Sequence, residues 1–465
     1  MAVNATHPEY DKLLAQWSRC RDAASGEEEV HSAGVRYLPR LKDQTDTDYE
    51  AYKLRASFFN ATWRTISGLR GMLFRKPPKV EIPASVEPLL DAVSGDGQPF
   101  GTFVTEVTEE CLITGRTGII VDFPVANLEG STQADALRMN LRPTLAMYRA
   151  EAIINWREDV INNRRVLSRV ILKETASEQD PNDEFSVCEE DRYRVLDLFN
   201  GVYRVRIFRP AKNHEGQFEQ VGEDLFPMMN NQPMVEIPFF FLGTDDTEVC
   251  PDEPPLIDLV DLNLSHYRTT ADFEHGCHFT GLPTAYVCGY SDGDDVEIYL
   301  GSQSILIFPD PNTKVGFLEF TGAGLSMLEN NLTRKETQMA LLGARMLQAP
   351  KRAVESADTV TLNRVGENSL LADIAQSISM GISRALQVFS DWAGGSGEVV
   401  FTINRDFFPM PMDPQKLTAL VAAWQSGAIS KESLFENLQQ SEIISDDTTF
   451  EDEEAKISNS MPLVQ

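Results

Sequence analysis

The sequence predicts an α+β fold. Three observations carry this: helical apolar spacing through the first 114 residues, strict alternation through 141–242, and two long helical stretches separated by about 45 turn-rich residues. The first helix opens at Pro8, a residue suited to a first helical position, and places Tyr10, Leu13, Leu14 and Trp17 on one face. After a loop containing Gly26 and Gly34, Asp46 is placed to cap a second helix. Its apolar residues Tyr49, Tyr52, Ala56, Phe59, Trp63, Ile66 and Leu73 recur in steps of three and four, interrupted only by Arg70. That spacing is a seam for packing on another helix, and Pro77-Pro78 ends the element. A third helix over 100–114 runs into the short strand TGIIVDFP.

In RRVLSRVILK and RYRVLDLFNGVYRVRIF every second residue is apolar, and Asn200-Gly201 is a strong two-residue hairpin signal. The stretch 174–191 has eight acids and no base and reads as a solvated loop. MVEIPFFFLG closes the block as a buried strand. PPLIDLVDLNLSHYRTTADFEHG then reads as a proline-opened helix. A second helix carries Leu325, Leu328, Leu332, Met339, Leu342 and Met346 on one seam and stops before Pro350. At roughly 20 residues each they span roughly 30 Å, two pillars carrying a small β head. Segment 349–369 is polar and lacks a clear period. A further helix follows with Leu371, Ile374, Ile378, Ile382, Ala385 and Phe389 in register. GEVVFTINRDFF alternates as a strand, Asp413-Pro414 starts another helix that Gly427 ends, and Ser430 caps the last. The acidic end, with seven acids and no base from Glu442 to Glu454, reads as frayed.

The 465 residues carry a formal charge of −30 and a pI near 4.6, which argues against a protein that wraps nucleic acid. It leaves room for one past which nucleic acid slides without sticking. The longest apolar string, Ile237 to Leu242, is strand-sized, so no membrane span is expected, and the N-terminus lacks signal-peptide layout. Six dispersed cysteines without a CxxC point to a reducing compartment.

Against this acidity, residues 52–79 (YKLRASFFNATWRTISGLRGMLFRKPPK) hold seven Lys or Arg and no acid. A nucleic-acid patch, a subunit interface and a helix with merely solvated charges all compete as readings. Phe58, Phe59 and Trp63, interleaved with Arg55 and Arg64, have the ingredients of a base-stacking platform. They fall on the helical seam, which favours packing within the chain or between subunits. Gly68 and Gly71 would let a neighbour approach, and a basic surface complements an acidic patch on a second copy.

Signatures of catalysis are missing. There is no GxxxxGK[ST] loop, no GxGxxG between strand and helix, no GxSxG elbow and no HExxH. TGAGLS at 321–326 reads as a plain turn. His275, Cys277, His278 and Cys288 match no common zinc spacing, and Asp292, Asp294 and Asp295 lack the ligand pattern of an EF-hand. The expectation is a non-enzyme with no cofactor and no metal.

Several segments, in their order, resemble the portal proteins of tailed bacteriophages, in a branch known largely as predicted phage structural proteins. They are YLPRL at 37–41, YEAYKLRASFFNATWRTISGLRGMLFRKPP at 49–78, IPFFFLG followed by PPLIDLVDLNLSHY, GARMLQAP, and LVAAWQSGAISKESLFENL. The resemblance implies a homo-oligomeric ring of about twelve subunits at one capsid vertex, located in the virion after assembly in the host cytoplasm. Double-stranded DNA would pass through its channel during packaging and ejection, with terminase, capsid or scaffold, and neck or tail adaptor proteins as partners. It further implies a wing over 1–252, stem helices over 253–277 and 323–348, and a small α/β clip over 278–322. A tunnel loop over 349–369, a tunnel helix and wing strand over 370–412, and a short helical crown with acidic tail over 413–465 complete it. Lys351, Arg352 and Arg364 would face DNA, and Phe59, Trp63, Ile66 and Arg70 would form the packing or subunit interface. The alternative is another virion assembly protein, a connector or minor capsid component without a DNA channel.

Overall fold

Trp17, with no exposed surface, lies in a core shared between helix α1 (Pro8–Ser25) and a five-stranded antiparallel sheet. The computed structural model describes residues 2–123, 141–179, 185–211, 216–281, 284–288, 314–318, 323–347, 357–405, 407, 414–441, 443–445 and 448–460. The chain divides into two units, one of Met1–Phe74 with Pro78–Ile403, the other of Arg75–Pro77 with Asn404–Gln465.

In the first unit the sheet order is β4 (Ile153–Ile161), β5 (Arg164–Gln179), β6 (Val187–Phe199), β7 (Val202–Pro210) and β8 (Phe218–Leu225). Both faces of the sheet are buried in part: Ile171, Tyr193 and Val195 lie on one side and Val170, Leu172 and Leu196 on the other, and all belong to the cluster that includes Tyr10 and Trp17. Asn200 and Gly201 take φ of +52° and +79°, the positive values that a twisted two-residue hairpin turn requires. Helix α1 is docked at its first turn. His7 Nδ1 accepts from Glu9 N at 3.2 Å, His7 N donates to Ile154 O at 2.9 Å, and the imidazole stacks on Trp156 with centroids 4.2 Å apart. Burial holds the His7 pKa below its ordinary value, with the Arg116 charge adding to the effect.

After the short pair β9 (Met228–Met229) and β10 (Gln232–Pro233), a second larger antiparallel sheet has the order β11 (Phe239–Gly243), β2 (Arg116–Asp122), β3 (Thr144–Arg149). Helix α5 (Phe100–Thr114) leads into β2 through Gly115 at φ +74°, where a Cβ would lie 2.8 Å from the Glu253 carbonyl oxygen. Only glycine fits there. Arg116, 1% exposed, has its guanidinium 4.1 Å from the Trp156 ring centroid and 4.4 Å from that of Phe241, bridging the two sheets. Its Nη1 donates to Val249 O at 2.8 Å, and burial pulls its pKa down to about 9.

Helices α2 (Glu27–Ser32), α3 (Asp46–Arg55) and α4 (Ala61–Leu73) follow α1. Strand β1 (Lys79–Glu81) pairs with β14 (Val400–Thr402). Helix α6 (Ile257–Gly281) and helix α7 (Ala323–Leu347) are antiparallel, and β12 (Thr284–Cys288) pairs with β13 (Lys314–Leu318) between them. Helix α8 (Ala357–Trp392) packs on β11, where the Ser377 hydroxyl lies 3.0 Å from Gly243 O and 2.8 Å from Asp246 O. The second unit holds α9 (Pro414–Gln425), α10 (Lys431–Gln440) and α11 (Phe450–Ser460). Ser430 caps α10 by accepting from Ser433 N, and Phe435 meets Phe450 edge-on at 5.5 Å.

Four expectations are corrected. The helix expected from Asp46 to Leu73 is two helices, α3 capped by Thr45 and α4 capped by Asn60, whose Oδ1 accepts from Trp63 N at 2.8 Å. A local side-chain acceptor there outcompetes continuation of the apolar seam. The acidic stretch 174–191 is largely strand, because β5 and β6 stay paired out to Gln179↔Val187. Charge does not prevent the pairing, since Lys173 holds Asp191 at 2.8 Å and Arg194 holds Glu174 at 2.9 Å. Helix α8 begins at Ala357, inside the segment expected as a loop, since a helix anchored downstream extends at one hydrogen bond per residue without an apolar face. The acidic end contains helix α11, with Glu451, Asp452 and Glu453 in its first turn, where the helix dipole favours them.

Trp17→Ala should lower unfolding stability by about 3–5 kcal/mol in chemical denaturation. Trp63→Ala should lower it clearly less, because Trp63 is only half-buried in the isolated chain; equal losses would contradict this core. His7 predicts a pH effect. Its folded pKa is depressed, so its contribution is complete above about 6.5 and fades as pH falls through the lower folded value. His7→Asn keeps a capping acceptor that does not titrate. The melting temperature of that variant should fall less between pH 7 and pH 5 than that of the parent.

Candidate functional site

Burial of the antiparallel pair α6/α7 is concentrated at one end, and α3 alone follows α6 further out, through Tyr52 and Arg55. Along α6 the buried residues run from Leu259 to Ala271, and the turns beyond Ala271 are half-buried or exposed. On α7 the buried positions described are Met339 and Gly343, both near its C-terminal end. A Cβ at Gly343 would stand 3.0 Å from Thr65 Oγ1 of α4, so this helix crossing is set by a missing side chain. At the other end Gly276 and Leu325 cross as closely. The hairpin β12–β13 sits beyond that free end, between the two helices in the chain.

The root is a polar tie. Asn263, wholly buried in mid-α6, accepts through Oδ1 from Ala61 N, Thr62 N and Thr62 Oγ1 at 3.1, 3.1 and 3.0 Å. Its Nδ2 donates to Phe59 O at 2.8 Å. The amide dipole of one side chain therefore satisfies the orphan donors at the start of α4. Beside it Lys335 of α7 donates to Ser265 O, Ser265 Oγ and Thr269 Oγ1 at 2.8, 2.9 and 2.6 Å. Burial, with the charges of Arg268 and Arg334, lowers the pKa of Lys335. His266 Nε2 lies 3.4 Å from Glu336 Oε1; burial lowers its pKa against the pull of that carboxylate. Tyr52 adds a third tie, donating to Asp272 Oδ1 at 2.6 Å.

The predicted interface residues separate on this frame. Ile66 is buried on the inner face of α4 with Leu69 and Leu73, while Phe59 is 41% exposed. Trp63 lies between them in exposure. Arg70 is bonded to Glu109 at 2.6 Å, with its guanidinium 5.8 Å from the Trp63 ring centroid. The other cations of 52–79 are likewise engaged: Lys53 with Glu50, Arg55 with His278, and Arg64 over the Phe59 ring. Two of the seven cations, Lys53 and Arg70, are thus paired with carboxylates, and Arg55 and Arg64 are held by an imidazole and an aromatic ring. A Cβ at Gly71 would meet nothing within 4 Å, so no close neighbour exists there in the single chain.

A cavity of about 350 Å³ between α1, α4 and α5 is lined by Arg21, Asn60, Trp63, Glu109, Glu110 and Arg149, among others. Its charges are matched across it: Arg21 forks onto Glu110 at 3.0 and 2.8 Å and onto Glu151 at 2.7 and 2.8 Å. Among the described residues no group of three His, Cys, Asp or Glu is placed to hold a metal. His275 packs against Tyr52 and Phe279 instead. No helix among them is long and apolar enough to cross a membrane. Lys351 and Arg352 lie outside the described residues, and Arg364 is placed only as a position on α8.

Sequence reasoning missed Asn263 and Lys335. The available signal was an asparagine at helical spacing from the apolar Leu256, Leu259, Val260 and Tyr267, a residue that does not stay mid-helix and buried without partners.

A family model described as a domain of unknown function (DUF4055) matches residues 255–393, the span from α6 through α8. DUF4055 is a phage-associated domain. No curated protein matches the chain. Among solved structures, a chain from the neck of an empty gene transfer agent (GTA) particle, computed with C6 symmetry, is similar with a TM-score of 0.39 at 11% identity. That match covers 88% of this chain and 97% of the other. A chain from the neck of the native GTA particle, computed with C12 symmetry, matches with a TM-score of 0.36 at 11% identity over 89% and 98%. One from the virion of the native GTA particle matches with a TM-score of 0.38 at 10% identity over 87% and 96%.

Asn263→Leu would leave Thr62 N and Thr62 Oγ1 without this acceptor, and Ala61 N and Phe59 O with only the bond to each other, and should cost about 3 kcal/mol of stability. Lys335→Met, which leaves only hydroxyls and a carbonyl near solvent, should cost about 1 kcal/mol. Denaturant titration of both variants tests the order, and a smaller loss for Asn263→Leu would refute the assignment of the tie.

Proposed function

We propose that this chain is the subunit of a phage portal: a ring of about twelve copies at one capsid vertex, through which double-stranded DNA is packaged and ejected. The observation that carries this reading is the helix pair, rooted at one end by Asn263 and Lys335, with a β hairpin beyond its free end. Its order along the chain is that of the portal resemblance. In this assignment α6 and α7 are the stem, β12–β13 belongs to the clip, and the two sheets with the N-terminal helices form the wing. Helices α9 to α11 form a short crown, and 349–369 reaches the channel. Terminase and the neck or tail adaptors dock outside, and the virion is where the ring resides after assembly in the host cytoplasm.

The role is structural and non-enzymatic. About twelve copies of −30 would sum to about −360, a wall that disfavours the phosphate-neutralising grip of DNA-binding proteins. Lys351, Arg352 and Arg364 would then make a few transient phosphate contacts within an acidic channel.

Negative-stain imaging of the purified protein at micromolar concentration and physiological salt should show closed rings with an axial opening. A monomer would refute the ring, and a closed assembly without an opening would favour a connector or minor capsid component. Because α8 begins within the segment, substitution tests the channel better than deletion. Alanine at Lys351, Arg352 and Arg364 together should leave rings intact and reduce DNA packaging or retention. Normal packaging of full-length genomes by the triple variant would remove these residues from the channel.

A further inference from the structure

Helix α3 follows α6 past the polar tie at Asn263, and the contact it makes there is built around two imidazoles. Asp48, Tyr52 and Arg55 recur on α3 at steps of four and three, which is one helical face. Tyr52, 2% exposed, donates to Asp272 Oδ1 and meets the His275 ring edge-on with centroids 5.2 Å apart. One turn further along α6, Arg55 Nη2 lies 3.3 Å from His278 Nε2. A guanidinium only donates, so this bond exists while Nε2 carries a lone pair, that is, while His278 is neutral. A proton added there would set two cations against each other.

His275 also packs edge-on against Phe279, with centroids 4.6 Å apart, and its Nδ1 is buried without a hydrogen-bond partner. A neutral imidazole can leave one ring nitrogen unpaired, whereas an imidazolium has two N–H groups to satisfy. Burial lowers the pKa of His275, Arg55 and His278 add to the effect, and Asp272 and Asp48 pull the other way. Both carboxylates already hold hydroxyl groups, Asp272 that of Tyr52 and Asp48 that of Thr45 at 2.7 Å. Glu274 and, from α7, Glu329 lie toward Cys277, and Lys335 of α7 acts on Asp272.

We propose that the α3–α6 contact is a proton-operated latch, closed while His275 and His278 are neutral and released when they are charged. Histidine is the side chain that gains its charge between about pH 8 and pH 5. The docked arrangement disfavours protons that the released one accepts, so acid favours release. The contribution of His275 is complete above about pH 6.5 and fades as pH falls through its lower docked value. At the root, Asn263 does not titrate and His266 faces Glu336, a partner for its proton. Acid therefore slackens the outer half of α6 and leaves its root in place. The latch belongs to the single chain and does not depend on the ring.

Hydrogen–deuterium exchange of the full chain, corrected for the intrinsic pH dependence of exchange, reads this opening. Between pH 7.5 and pH 5.5, protection of peptides covering 49–58 should fall roughly tenfold relative to peptides covering 13–24 of α1, which report global opening. His275→Gln with His278→Gln keeps an acceptor for Arg55 and removes both titrating groups, so its α3 protection should stay constant over this range. Melting at pH 7.5 checks that this variant folds. Arg55→Gln serves as the second variant. Its loss should be smaller than the parent's, because glutamine can accept from a charged His278 as well as donate to a neutral one. Parent α3 protection that follows α1 at both pH values would overturn the latch. So would a double variant that loses protection as the parent does, or an Arg55→Gln loss equal to the parent's.

Discussion

One side-chain amide holds the architecture together. Asn263 stands mid-helix in α6, where an apolar residue would pack, and it terminates the hydrogen-bond deficit at the start of α4. The break between α3 and α4 is possible because of this partner. Asn60 closes the first turn of α4 locally and Asn263 closes it from outside, so the chain turns there instead of extending one helix. That turn brings Thr65 beneath Gly343 and buries Ile66, Leu69 and Leu73. Removing the amide would unsettle three helices at once, because each uses the same few atoms.

The charge distribution has a similar economy. A protein at −30 has few cations to spare, and those of 52–79 are spent on internal carboxylates, an imidazole and an aromatic face. The bidentate Arg21 between Glu110 and Glu151 does the same at the junction of α1 with the second sheet.

Much of this arrangement was legible in the sequence where periodicity and backbone chemistry agreed. Helix α1 with Pro8 at its start, α5 over 100–114, the Asn200-Gly201 hairpin and the pair α6/α7 all follow from residues within one element. The failures share a cause. The unbroken apolar series through Ala56 and Phe59 masked a break made by two asparagines 203 positions apart. The acidic stretch 174–191 and α11 were read from charge, which reports solvent exposure and says little about backbone pairing. Lys335 and Asn263 act across helices, and no window of local sequence contains both ends of such a bond. The cations expected at 351, 352 and 364 remain positions in the chain rather than a described cluster.

The one-ended rooting of α6 and α7 makes the pair a cantilever. A force applied sideways at the hairpin acts through a lever arm of several helical turns, while the resisting atoms sit close to the clamp. Deflection of such a beam grows steeply with distance from its support, so small rotations at Asn263 and Lys335 become displacements of ångströms at β12–β13. Torque delivered at the tip is felt first by hydrogen bonds, which are short-ranged and yield abruptly, and only then by the apolar seam. The mechanical compliance of the free end is therefore set by a handful of polar atoms in α4, α6 and α7, with α3 as a brace at Asp272 and His278.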